Sequence, residues 1–201
     1  AVRTARLDER VPKNRVMIIP AKTMTEVARV VTDEDKEIGI TLPEGRDGVM
    51  FYYESTVITS QLLEGKFPDF GAIIPKTYST AMTVYTDELL KQCKRAEIFA
   101  RDSNFSARIF IKPANSPSEP GEVMIVGRSA ERGDNEGMID AAVEGESMEV
   151  AFNIRYLIDV LNVIDSERVI LESNGAAHPG VIRPEGRDDF VSVIMPMSLN
   201  R

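Results

Sequence analysis

The chain has 201 residues, of which 43% are hydrophobic and 28% charged, and a net charge of -8. That balance describes a folded chain large enough for one or two cores. It excludes a protein that grips nucleic acid over its whole surface, which needs a basic one, though a local basic face is still allowed. Acidity is concentrated late: residues 1–79 carry 11 basic and 12 acidic side chains, residues 80–201 carry 13 and 20. No apolar run approaches the roughly 20 residues that span a bilayer, and the start, Ala1-Val-Arg-Thr-Ala-Arg, has no apolar signal core. The expected setting is cytoplasmic. One cysteine, Cys93, allows no internal disulfide and anchors no thiolate metal site, in keeping with a reducing compartment. A chain that opens in mid-strand at Ala1-Val2-Arg3 is read as a piece of something longer.

Residues 16–20 predict a strand that leads into a helix from about Lys22 to Val31, with Met24, Val27, Ala28 and Val31 on one stripe. Thr23 and Glu26 have the spacing of a capping box. Ile38, Ile40 and Leu42 alternate, a turn follows at 43–48, and residues 49–53 return as a strand. A further strand over 56–63 completes this half, which closes with Gly65-Lys-Phe-Pro-Asp-Phe70.

A second helix is predicted over 87–98, with Thr86 as N-cap, two acids in its positive first turn, and Leu89, Leu90, Cys93 and Ala96 facing inward. Strands at 107–111 and 122–126 flank a Pro-rich loop. Residues 150–153 then lead into an amphipathic helix over 154–164, with Leu157, Val160, Leu161 and Ile164 on one face. Strands follow at 169–171, 180–183 and 190–195, the last stopped by Pro196, which has no N–H for a ladder. The order strand, helix, strand, strand, strand occurs twice, which marks an internal duplication of domain size. The predicted class is α+β, duplicated units of two helices packed on small antiparallel sheets. Residues 80–201 hold a complete unit with two small sheets; residues 1–79 hold the rear half of another, whose front half is absent.

Beyond Pro196 lie Met197, Ser198 and Leu199. These flexible apolar side chains either cap the core or line an adaptable groove for partner peptides. Enzymatic readings fare badly. His178, the only histidine, is far in sequence from Cys93; Asp33-Glu-Asp35 lacks the glycine of a calcium loop; no Gly-rich phosphate motif occurs. Arg132-Gly-Asp134 is a chance tripeptide in a loop.

Three segments in order carry a resemblance: Glu64-Gly-Lys-Phe-Pro-Asp-Phe70, Phe152-Asn-Ile-Arg-Tyr-Leu-Ile-Asp-Val-Leu161 and Val193-Ile-Met-Pro-Met197. Together with the duplication they resemble the bacterial sliding clamp family, the beta subunit of DNA polymerase III, over nearly the whole chain. The resemblance implies a non-catalytic DNA replication processivity factor with no cofactor and no metal, in the bacterial cytoplasm at the nucleoid. Three similar domains per protomer form a homodimer ring around duplex DNA, bound topologically and without regard to sequence. Residues 1–79 are then the rear of the middle domain and residues 80–201 the third domain, so this chain alone is not expected to close a ring. The competing reading is a non-enzymatic interaction module of repeated domains with no DNA role.

In this family a groove beside the tail binds short linear motifs of DNA polymerase subunits, the clamp loader and repair proteins. Carried over, Pro68 and Ile73 match its linker side, Phe105, Asn153 and Tyr156 its third-domain contributors, and Ala177 and Pro179 its flanking positions. Val193, Ile194, Met195, Pro196, Met197 and Leu199 match the tail. Ala72 and Ser198 stand where the family often has Arg. Lys22, Arg29, Lys91, Lys94, Arg95 and Arg101 are candidates to face DNA, against the bland reading of a solvated helix face of mixed charge. Ile98 and Phe99 match an apolar patch that packs on the next protomer; core packing is the equal alternative.

Overall fold

The computed structural model describes residues 1–6, 15–33, 35–43, 47–116 and 118–198. In chain order the elements are β1 (Val2–Arg3), α1 (Ala21–Val30), β2 (Gly39–Thr41), β3 (Gly48–Tyr53) and β4 (Thr56–Gln61). Then come β5 (Thr80–Tyr85), α2 (Thr86–Ala100), β6 (Ser106–Lys112), β7 (Gly121–Ser129) and β8 (Gly133–Gly145). The last are β9 (Met148–Asn153), α3 (Ile154–Leu161), β10 (Arg168–Ser173), β11 (Gly180–Pro184) and β12 (Phe190–Ile194). They form two units, Leu7–Asp69 and a larger one of Ala1–Arg6 with Phe70–Arg201. Residues 70–79 belong with the larger unit because the Ser79 amide donates to the Ser173 carbonyl and Asn174 Nδ2 donates to the Thr77 carbonyl.

In the smaller unit, β2, β3 and β4 form an antiparallel sheet. Val27 of α1 is buried with Val49 and Phe51, and Met17, Ile19, Val31 and Ile58 pack around them. Three expectations are corrected here. Among the described residues, 16–20 join no ladder: Pro20 has no N–H to give, the Leu63 amide donates to the Ile18 carbonyl, and the Pro20 carbonyl accepts from the first turn of α1. The capping box does not form, because the helix starts earlier, with Pro20 at the N-cap, so that Thr23 lies inside it and bonds the Ser60 hydroxyl at 2.8 Å. With that start, Met24 and Ala28 turn outward and Val27 alone of the predicted stripe is buried. The middle of the predicted turn, residues 44–46, lies outside the described residues.

In the larger unit one antiparallel order, β1-β12-β11-β10-β5-β8-β7-β6-β9, replaces the two small sheets expected from sequence. The join is β8, 13 residues long, which pairs with β7 over 133–141 and with β5 over 142–145. Its period-2 alternation is plain once seen, with Gly137, Ile139 and Ala141 inward and Glu136, Met138 and Asp140 outward. Small and acidic residues hid it from a search for β-branched runs.

Both helices pack on this sheet, and their stripes interlock with it in a single core. Leu89, Cys93 and Ala96 of α2 and Leu157, Val160 and Leu161 of α3 are buried with Ile109, Ile125, Val150, Phe152, Leu171 and Ile194. Each such large side chain contributes about 1.5–3 kcal/mol on burial. Burial pushes the Cys93 thiol up to about 12, so it stays a neutral core group. Close approach is set by glycine: a Cβ on Gly127 would collide with the Ala96 carbonyl of α2, and one on Gly180 would meet the Phe152 ring at 2.5 Å. Thr86 is not an N-cap, since Tyr85 holds that place; its hydroxyl donates to the Ser166 carbonyl at 2.8 Å and its amide to that of Glu167.

The β11–β12 turn is closed by Arg187, which grips Asp189 with two nitrogens, at 2.9 and 2.7 Å, and Asp165 with a third. The hydrogen bonds from Arg187 hold the Asp189 carboxyl below its ordinary 3.8. A depressed carboxylate adds stability above its unfolded pKa and loses it as pH falls through the folded one. Thermal unfolding of wild type between about pH 6 and pH 3 is expected to show a steeper loss of Tm than Asp189→Asn. Parallel curves would remove Asp189 from the acid sensitivity of the fold.

Candidate functional site

The run Phe190-Val-Ser-Val-Ile alternates, so β12 buries Phe190, Ser192 and Ile194 while Val191 and Val193 lie on the opposite, outer face. Ile194, assigned to the groove from sequence, is therefore a core residue. Pro196 follows the strand's end, and Met195 stands 64% exposed. Met197 is half-buried, and its amide donates to the Ala151 carbonyl of β9 at 2.8 Å, which fixes the tail along that strand. Leu199 lies outside the described residues.

Met197 and Ser198 close one side of a cavity of about 490 Å³ whose other walls include Asn104, Ser106, Arg108, Val126 and Ala151. The tail thus meets the segment around Phe105 and the strand, β9, that ends at Asn153. Asn104 and Phe105 both have positive φ, 55° and 60°, an uncommon pair for non-glycine residues. The corner is held by two amide bonds, Phe105 to the Ala100 carbonyl and Ile154 to the Phe105 carbonyl. Asn153 does structural work that its sequence position also signals: it N-caps α3, its Oδ1 accepting from the Arg155 amide, while Nδ2 donates to the Asn104 carbonyl. Arg155 lies over the Phe105 ring at 3.6 Å and bonds Glu97, so the ring is a covered support. Tyr156, one position on, projects into solvent and is 59% exposed.

Ile73, 52% exposed, follows a short 3-10 turn at Phe70–Ala72 and shares no cavity with Met197 among the described residues. A second cavity, of about 460 Å³, separates residues 71–78 from β10 and β11. Its floor, Val181, pairs in register with Val193 of β12, so the two share an outer face. Ala177 and half-buried Pro179 lie in the turn before β11, where the His178 amide bonds the Gly175 carbonyl. Pro68 is exposed in the smaller unit.

The basic candidates are all exposed. Lys91, Lys94 and Arg95 share a shallow face of α2 with Asp87, Leu90 and Ile98, and Arg101 follows in a 3-10 turn. On α1, Lys22 is exposed and Arg29 is paired with Glu26 at 2.6 Å. Ile98 is 50% exposed and Phe99 half-buried. One further feature of β8 carries no signal in the sequence. Over 134–140 the edge of β8 away from β7 meets no strand among the described residues, Met138 is 57% exposed, and Gln92 Oε1 and Asn135 Oδ1 are buried without a hydrogen-bond partner.

A family model described as the DNA polymerase III beta subunit, C-terminal domain, matches residues 71–198, and that of its central domain matches residues 1–69. The chain belongs to the DNA polymerase III beta subunit family. It is 29% identical over 200 residues to the Bacillus subtilis beta sliding clamp, covering 98% of this chain and 50% of that protein. The Staphylococcus aureus beta sliding clamp is likewise 29% identical, over 198 residues. Among solved structures, the Bacillus subtilis sliding clamp superposes with a TM-score of 0.88 at 29% identity, covering 98% of this chain and 50% of that one. The Pseudomonas aeruginosa DNA polymerase III subunit beta gives 0.83 at 27% identity, covering 96% and 51%. The chain spans about half the length of the curated relatives it matches.

Neighbouring tail residues have opposite roles, which stability measurements separate. Ile194→Ala is expected to cost about 2–4 kcal/mol in urea unfolding, and Met195→Ala less than about 0.5. Equal costs would put Met195 in the core.

Proposed function

We propose that this chain is the tethering half of a replication processivity clamp, a non-catalytic protein that docks partner proteins by short apolar peptides. The observation that carries this reading is the outer surface beside the tail. Met195, Tyr156 and Ile73 are each more than half exposed, and a partner peptide that covered them would take that apolar area out of water. Half-buried Val193, Pro196 and Met197 extend that surface, and flexible Met side chains adapt to varied peptides. Partner peptides belong to polymerase subunits, the clamp loader and repair proteins. Ala177 and Pro179 are assigned to the margins of the groove, while Phe105 and Asn153 hold the corner from which Tyr156 projects.

The same reading gives the complete protein a ring around duplex DNA, with domains beyond this chain. Ring topology supplies retention, so a few cations suffice for phosphate contact in an acidic protein. Lys91, Lys94, Arg95 and Arg101, with Lys22 and Arg29, are the residues proposed for it. Exposed Ile98 and Met138 and the open edge of β8 are proposed as the face that meets the next protomer, because an unpaired edge takes a strand.

The test is fluorescence anisotropy with a labelled Gln/Leu-rich polymerase-tail peptide. Wild type is expected to bind in the micromolar range, and Met195→Ala to weaken binding about tenfold with circular dichroism unchanged. No binding by wild type, or equal binding by the variant, would sink the groove.

A further inference from the structure

The cavity between residues 71–78 and the β10–β11 pair differs in kind from the tail surface beside it. Ile74, Pro75 and Tyr78 wall it, and Val181, 2% exposed, forms its floor. One end of the segment is tied down, by Asn174 Nδ2 to the Thr77 carbonyl at 2.7 Å and by the Ser79 amide to the Ser173 carbonyl at 3.2 Å, so the wall is fixed. Three charged groups line this mainly apolar space. Glu172 and Arg183 face each other at 3.5 Å across the two strands, with side chains 20% and 31% exposed. Lys76 makes no hydrogen bond or ion pair among the described residues. Two cations therefore stand against one anion, an excess of positive charge in a chain whose acids outnumber its bases. Lys76 is exposed, so its charge reaches a ligand through solvent and is screened by salt.

The cavity also continues the proposed docking wall, because Val181 and Val193 are register partners on one sheet face and Ile74 follows Ile73 directly. We propose that it is the anion-accepting end of the peptide groove, taking the carboxylate of an Asp or Glu that flanks the apolar residues of a bound peptide. Lys76, on a flexible four-carbon stem, supplies the unanswered charge. The Glu172–Arg183 pair presents the remaining guanidinium N–H donors while keeping Arg183 oriented. The peptide's apolar residues then give affinity, and this end selects among peptides that share them. The inference rests on the reading of the tail as a docking wall.

Anisotropy titrations of the chain with three forms of one labelled Gln/Leu-rich peptide test it: Glu before the apolar residues, Glu after them, and Gln at both places. One of the two Glu forms is expected to bind about threefold tighter than the Gln form at low salt, with the advantage fading toward 1 M salt. Lys76→Ala is expected to erase that ratio and leave the Gln form's affinity unchanged, and Lys76→Glu to invert it. Equal binding of all three forms, or a ratio that survives Lys76→Ala, overturns this inference and leaves the groove standing. Failure of every form to bind overturns both.

Discussion

The larger unit depends on β8 being long enough to serve two ladders. Over 133–141 it belongs with β7, β6 and β9; over 142–145 it belongs with β5, β10, β11 and β12. Without that continuity the two arms would have no hydrogen-bonded join, and α2, which packs on both β7 and β8, would lose a common floor. The inward residues of β8 are small where the helix is nearest, so that α2 can settle against the strands. One strand thus fixes the helix layer, the core beneath it and the two outer arms, on one of which the tail emerges.

Much of this was legible in sequence where pattern and burial agree. The stripes Leu89, Cys93, Ala96 and Leu157, Val160, Leu161 are periodic and buried, and a strand lies where β12 was expected, though its alternation moves Ile194 into the core. What escaped notice has physical causes. β8 carries its register mostly in Gly, Ala, Asp and Glu, residues with no strand preference of their own, with Ile139 the one large inward side chain over 137–141. The caps expected at Thr23 and Thr86 did not form because α1 and α2 start earlier, with Pro20 and Tyr85 at the N-cap positions, and the two hydroxyls bond Ser60 and the Ser166 carbonyl instead. Local capping chemistry cannot foresee such long-range bonds.

The proposed docking wall shows the same division between residues. Ile194 looks like Met195 in composition, yet strand parity sends one into the core and leaves the other exposed. Asn153 and Phe105, assigned to a groove by resemblance, have visible work in holding the corner before α3. Contact with a peptide and support of the contact surface are compatible roles, since a groove needs fixed walls. Among the described residues the tail is anchored to β9 by one backbone hydrogen bond, from the Met197 amide to the Ala151 carbonyl. On that view the fold builds a rigid sheet and leaves adaptability to the Met side chains at its margin.

Methyl NMR of the chain titrated with an unlabelled Gln/Leu-rich peptide tests the central claim, that the tail margin is a peptide-docking wall. The Met195, Met197 and Ile73 methyl resonances are predicted to shift together and to saturate at one affinity, while those of buried Met82 and Met148 stay in place. Saturable shifts confined to Met138 or Met24, with the tail unmoved, would contradict the account.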